Sequence, residues 1–103
     1  MVAIFRAKPE TRHTLHNLIL DTAQSSRQEA GVEKYLINLI DETLGHYLLI
    51  GVYSSSAAFE EHVNSLHVKN FLNAVPALIE ENLTYVSTPL ENETGPKSRI
   101  DFI

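Results

Sequence analysis

Two histidines, His62 and His67, stand five residues apart in the run FEEHVNSLHVKNF, Phe59 to Phe71, with Ser65 between them. Imidazole is the side chain best suited to moving protons near neutral pH, because its unperturbed pKa is about 6.5. Spacing decides what two of them can do together. On one continuous helix, five residues turn through about 500°, which leaves the rings about 140° apart on different faces. Metal-binding pairs on helices sit at i and i+4 instead, so a shared metal is not expected. A break at Asn64–Leu66 would lift that restriction and swing both rings toward one pocket. One ring could then serve as general base toward a phenol or enol hydroxyl. The plainer alternative is that the histidines cap or bridge a helix joint.

Other residues could line the same pocket. Tyr35 and Tyr53 either present hydroxyls to a ligand or are core residues with the OH at the rim. Asn38 is polar among apolar strand neighbours and, if buried, needs partners. It either orients a substrate or pairs across a dimer. Phe71, one turn beyond His67, reads as pocket wall or core. Ser65 reads as the cap of a second helical piece. His13, His16 and His46 read as exposed or strand-edge residues. The chain has no cysteine, which excludes disulfides, thiolate metal sites and a thiol nucleophile. It also has no GxSxG motif and no glycine-rich phosphate loop.

These residues need a frame. Val2 to Ala7 reads as a strand ended by Lys8-Pro9, and Pro9 suits the first turn of a helix. Leu15, Leu18, Ile19 and Ala23 recur at helical spacing up to Gly31, a good C′ residue. They predict a helix over about 9–29. Val32 to Asp41 and His46 to Tyr53 read as a hairpin around a glycine-containing turn. Serines then open a helical unit over 54–81, in two pieces. Its apolar stripes are Phe59, Val63 and Leu66, then Val68, Leu72, Val75 and Ile79. Pro76 should kink it. Leu83 to Thr88 reads as the last strand, ended by Pro89.

The order strand, helix, strand, strand, helix, strand is the ferredoxin-like α+β pattern βαββαβ, a four-stranded antiparallel sheet with helices on one face. Strands two and three carry apolar side chains on both faces, and two helices can cover only one. A bare apolar face of that size is rare on a monomer, so a homodimer packed through it is expected. The chain is 103 residues long, which fits one domain over 1–89, with a polar tail over 90–103. The net charge of −5 shows no basic patch, which argues against nucleic acid. No apolar run approaches the ~20 residues that span a membrane. No signal-peptide pattern follows Met1, which leaves the cytoplasm as the default compartment.

The chain resembles the antibiotic biosynthesis monooxygenase family, of the dimeric α+β barrel superfamily. The likeness rests on the element order and on three local features. Glu29-Ala30-Gly31-Val32-Glu33-Lys34-Tyr35 is similar to the family's E-x-G-x-x-x-Y entry to strand two. Tyr53, nine residues before His62, falls where members often carry an aromatic. His62, Ser65, His67 and Phe71 follow the H-x-x-[ST]-x-H-x-x-[FY] segment. The resemblance implies a dimer with a pocket in each subunit, and His62 or His67 as base. Together with the residue readings above, this gives Tyr35, Asn38, Tyr53 and Phe71 as the residues expected around a small-molecule substrate. Haem-degrading members carry Trp where this chain has His62, and their haem ligand falls near Phe71-Leu72. The resemblance therefore implies no haem, and no cofactor.

The leading expectation is a cofactor-independent monooxygenase acting on a hydroquinone-like or polyketide-like aromatic. One alternative is an isomerase of a small phosphorylated carbonyl compound, for which Arg6, Lys34 and Lys69 are the available cations. The other is a dimeric small-molecule binding protein without turnover.

Overall fold

Alternation along the first strand puts Ala3, Phe5 and Ala7 on one side, and that side is buried. It belongs to the central strand of a four-stranded sheet, seen in a computed structural model that describes residues 1–88 and 90. The strands are β1 (Val2–Ala7), β2 (Val32–Asp41), β3 (His46–Tyr53) and β4 (Ile79–Tyr85). The helices are α1 (Arg12–Ser26), α2 (Ser56–Asn64) and α3 (Leu66–Ala74). The sheet order is β2-β3-β1-β4 with every pair antiparallel. This is the ferredoxin-like arrangement the sequence pattern predicts.

All three helices lie on one side of the sheet. The core between the layers joins Phe5, Tyr47 and Leu49 of the sheet to Leu15, Ile19 and Ala23 of α1. Phe71 and Val75 close it from α3, with Phe71 edge-on to Phe5 at 5.5 Å. Among the described residues, no helix lies on the other sheet face. Register pairs Ile4 with Leu48 and with Leu83, and Leu36 with Ile50. Most of that apolar row is only partly covered, and Leu83 and Tyr85 are exposed.

Several boundaries differ from the sequence pattern, each for a local reason. The first helix is shorter than 9–29: a 3-10 turn at Pro9–Thr11 precedes α1, and turns replace its last residues. Pro76 does not kink a continuing helix. It sits in a 3-10 turn at Val75–Ala77, because α3 ends where the missing proline N–H would have served it. The last strand therefore starts at Ile79, which pairs with Ala7, rather than at Leu83. The apolar stripes also mislead. The buried face of α2 is Ala58 and His62, and that of α3 is Val68 and Phe71, while Leu66 and Leu72 face outward. The tail after Thr88 lies outside the described residues apart from Leu90.

Gly31 is not the end cap of α1; that position is Arg27. Its importance is proximity. A Cβ on Gly31 would collide with the Cβ of Ala58, so glycine is what lets α2 lie against the start of β2. Gly31→Ala is expected to lower folding stability by about 1–3 kcal/mol, the usual range for overpacking. Urea denaturation reads this, and an unchanged midpoint would contradict the close approach.

Candidate functional site

The turn after α1 carries the acid of the site. Its backbone is coiled by successive short bonds. Gln28 N–H donates to Ser25 O, Glu29 N–H to Ser26 O at 3.1 Å, and Val32 N–H to Glu29 O at 3.1 Å. Glu29 is therefore held by its own backbone on both sides, and its side chain points toward the helical pair.

Ser65 then determines where the histidines go. Ser55 caps α2 by accepting from Ala58 N–H, and His62 lies one turn beyond Ala58 on the same buried face. At Ser65 the backbone is extended (φ −66°, ψ 153°), which ends one helix and begins the next. Its hydroxyl donates to His62 O at 2.6 Å and accepts from Val68 N–H at 3.4 Å, so one side chain serves both helix ends. The break cancels the about 140° that a straight helix would impose. The two ring centroids end 6.2 Å apart.

Both rings meet one oxygen. Glu29 Oε2 lies 2.8 Å from His62 Nδ1 and 2.8 Å from His67 Nε2. A carboxylate can only accept, so each of those nitrogens carries the proton and donates it. That sets the tautomers. In neutral rings the opposite nitrogens, His62 Nε2 and His67 Nδ1, hold the free lone pairs. The three residues differ in access: the His62 side chain is 2% exposed, Glu29 20% and His67 26%. His62 is thus an anchor, and His67 is the ring a small molecule can reach. Ser65 Oγ lies 3.2 Å from His67 Nε2 and offers that N–H a second acceptor.

The tyrosines flank His62. Tyr53 and Tyr35 lie 5.0 Å and 5.3 Å from its ring, centroid to centroid, and Phe59 stands edge-on to Tyr53. The Tyr53 hydroxyl is buried and, among the described residues, without a hydrogen-bond partner. It lies over Gly51, where any Cβ would strike it. Burial pushes the Tyr53 phenol well above the usual tyrosine value, and the negative field of Tyr35 and Glu29 adds to that. Tyr35 is raised in the same way by burial, partly offset by the Ser26 hydroxyl.

The structure brings together His62, His67, Tyr35 and Tyr53 from the sequence-derived set. Asn38 is elsewhere. It is exposed and pairs with Leu48 on the helix-free face. Phe71 is buried in the core against Phe5, so it is packing rather than pocket wall. Glu29 is the residue missed. It lies in the E-x-G-x-x-x-Y stretch, but nothing local in sequence links it to residues 33 and 38 positions away. His16, read from the sequence as exposed or at a strand edge, is partly buried, and its Nδ1 lies 2.8 Å from the Tyr47 hydroxyl. That pair borders a hollow of about 200 Å³ between α1 and the sheet, and a second of about 400 Å³ lies along β2. Arg27 lines both, and Tyr35 lines the larger one, so Tyr35 stands between that hollow and His62.

The family described as antibiotic biosynthesis monooxygenase matches residues 1–74. Solved structures are similar over most of the chain. The protein Rv0793 from Mycobacterium tuberculosis is 25% identical, covers 84% of this chain and 93% of its own, and superposes with a TM-score of 0.72. The protein SO0527 from Shewanella oneidensis gives 23% identity, 80% and 81% coverage and a TM-score of 0.74. A structure described as an antibiotic biosynthesis monooxygenase gives 20% identity, 85% and 96% coverage and a TM-score of 0.73. No curated protein matches this sequence.

Tyr53 gives a test of the site's packing. Because this phenol's pKa is higher folded than unfolded, its ionisation leaves stability untouched below about pH 10 and lowers it as pH rises toward the folded value. Tyrosinate absorbance should show this residue ionising late, with alkaline unfolding, and Tyr53→Phe should remove that alkaline loss of stability. Because the hydroxyl is buried without a partner, Tyr53→Phe should also keep or raise stability at neutral pH, by about 1 kcal/mol. A loss of that size in urea denaturation would show that the hydroxyl is bonded after all.

Proposed function

The chain belongs to the antibiotic biosynthesis monooxygenase family, and from that premise we propose that it oxidises a small hydroquinone-like or polyketide-like aromatic with dioxygen, using no metal or flavin. The observation that carries this reading is the single carboxylate oxygen of Glu29 held 2.8 Å from both imidazoles. It prepares His67 as a base. With Nε2–H given to Glu29, the lone pair sits on Nδ1, and the carboxylate stabilises the imidazolium formed when that nitrogen takes a proton.

The reaction needs no outside reductant. His67 Nδ1 removes a phenolic proton, and the resulting anion gives an electron to dioxygen. Recombination at a ring carbon forms a C–O bond and leaves a hydroperoxide. Loss of the ring proton and cleavage of the O–O bond turn that carbon into a carbonyl and release water. One oxygen atom enters the product, the other becomes water, and the aromatic supplies all four electrons. The protein orients the ring and withholds bulk water. Tyr35, on the wall of the larger hollow, is the group best placed to orient it.

The isomerase alternative needs cations gathered around a phosphate. Arg6 lies on the helix-free face and pairs with Glu81 at 3.0 Å, away from the histidines. That helix-free face also supports the second part of the proposal. A second copy of the chain packs on the apolar row through Ile4, Leu36 and Leu48, which no helix among the described residues covers. Asn38 would then lie between the copies rather than in a pocket.

Oxygen uptake with a panel of reduced quinones tests the reaction. Wild type should consume oxygen, and His67→Ala should lower kcat by about 10²–10⁴-fold, the usual contribution of a positioned base. No uptake by wild type, or uptake unchanged in His67→Ala, would refute it. Sedimentation tests the assembly: wild type should run at twice the chain mass and Leu48→Glu at the chain mass. A wild-type protein that sediments as a single chain at micromolar concentration would contradict it.

A further inference from the structure

Glu29, His62 and His67 each offer one ligand atom, and these lie within 4.8 Å of one another; Glu29 Oε2 is 2.8 Å from both His62 Nδ1 and His67 Nε2. They come from three separate places, the turn after α1, the end of α2 and the first turn of α3, and they converge on one small volume. Two imidazole nitrogens and a carboxylate oxygen form a donor set that first-row divalent metals take readily, with further positions left open. In such sites adjacent donors stand roughly 2.9–3.4 Å apart, given metal–ligand bonds of about 2.0–2.2 Å. The two Glu29–imidazole separations of 2.8 Å need to widen by a few tenths of an ångström, and the imidazole nitrogens, within 4.8 Å of each other, need to settle into the same range. The five-residue spacing, which argues against a shared metal on a straight helix, does not apply across the Ser65 break.

We propose that these three atoms form a binding site for a divalent transition-metal ion, and that the ion turns the base off. The switch is a tautomer change. A metal can bond His67 Nε2 only if the proton leaves that nitrogen, and in the neutral ring it then resides on Nδ1. Nδ1 is the atom that carries the free lone pair in the metal-free protein. Occupied Nε2 and a basic Nδ1 are therefore exclusive. The same holds for His62 with its two nitrogens reversed. The ion also takes the Glu29 oxygen that would stabilise an imidazolium. In this chain a divalent ion acts as an inhibitor and not as a cofactor. Binding rests on the geometry alone, whereas the inhibitory consequence rests on the proposed reaction.

Cobalt(II) is the probe for binding. Added to chelator-treated protein, it should develop a visible d–d band that saturates at one ion per chain and bleaches on adding zinc. The band should be lost in Glu29→Gln and in His67→Ala, whose side chains are partly exposed, so that folding survives and can be checked by circular dichroism. No band in wild type, or a band kept in both variants, would overturn the site, since His13, His16 or His46 would then hold the ion. Oxygen uptake with a reduced quinone, followed as zinc is added, is the second arm. Uptake should fall in step with zinc occupancy. Uptake that rises with occupancy would overturn the inhibitory role, and an inactive wild type that still gives the band would refute the reaction while leaving the metal site standing.

Discussion

One carboxylate oxygen shared by two imidazoles is the interaction on which the site depends. Burying His62 almost completely leaves its ring N–H with a demand that must be met inside the fold, because an unpaired buried donor costs about 1–3 kcal/mol. Glu29 meets it, and Glu29 can do so only because three tight turns hold its backbone beneath α2. The same oxygen then reaches His67 because Ser65 breaks the helix at the right residue. If any of the three positions changes, the other two lose their reason for being where they are. Charge-assisted bonds of this kind are among the stronger ones in proteins, and here two of them end on a single atom.

The frame around this point is simple, and most of it is legible in the chain. Period-two alternation in β1 and β3 and the glycine-containing hairpin turn give the strands and their faces. Proline at position 9 and serine at 55 mark helix starts. The helical stripes were less informative. In α2 the most apolar positions are not the buried ones, because His62 occupies the core-facing place that a leucine would usually hold. A hydrophobic periodicity search cannot see a buried polar residue whose partner is remote in sequence. The late boundary drawn for β4 has a similar origin: Ile79 continues a helical spacing, yet Pro76 has already ended the helix that spacing belongs to.

The candidate site was legible in half. The pair of histidines, the serine between them and the flanking tyrosines stand out by type and spacing. Glu29 does not, since a glutamate in a turn after a helix is ordinarily a solvated charge. What gives it a role is a contact 33 residues away that exists only once α2 is laid against β2, and that close packing depends on Gly31. The polarity of Asn38 among apolar neighbours suggests a pocket role, but strand parity puts it on the far side of the sheet, level with Leu48. The helix side of the sheet thus holds the Glu29–imidazole cluster, while the other side carries a partly covered apolar row.

The most direct measurement is nitrogen-15 NMR of the histidine rings in metal-free protein at neutral pH, which reports the protonated nitrogen of each. The expected result is Nδ1–H for His62 and Nε2–H for His67, with both signals shifted in Glu29→Gln. Opposite tautomers, or signals indifferent to that substitution, would mean that the two rings do not share the Glu29 oxygen.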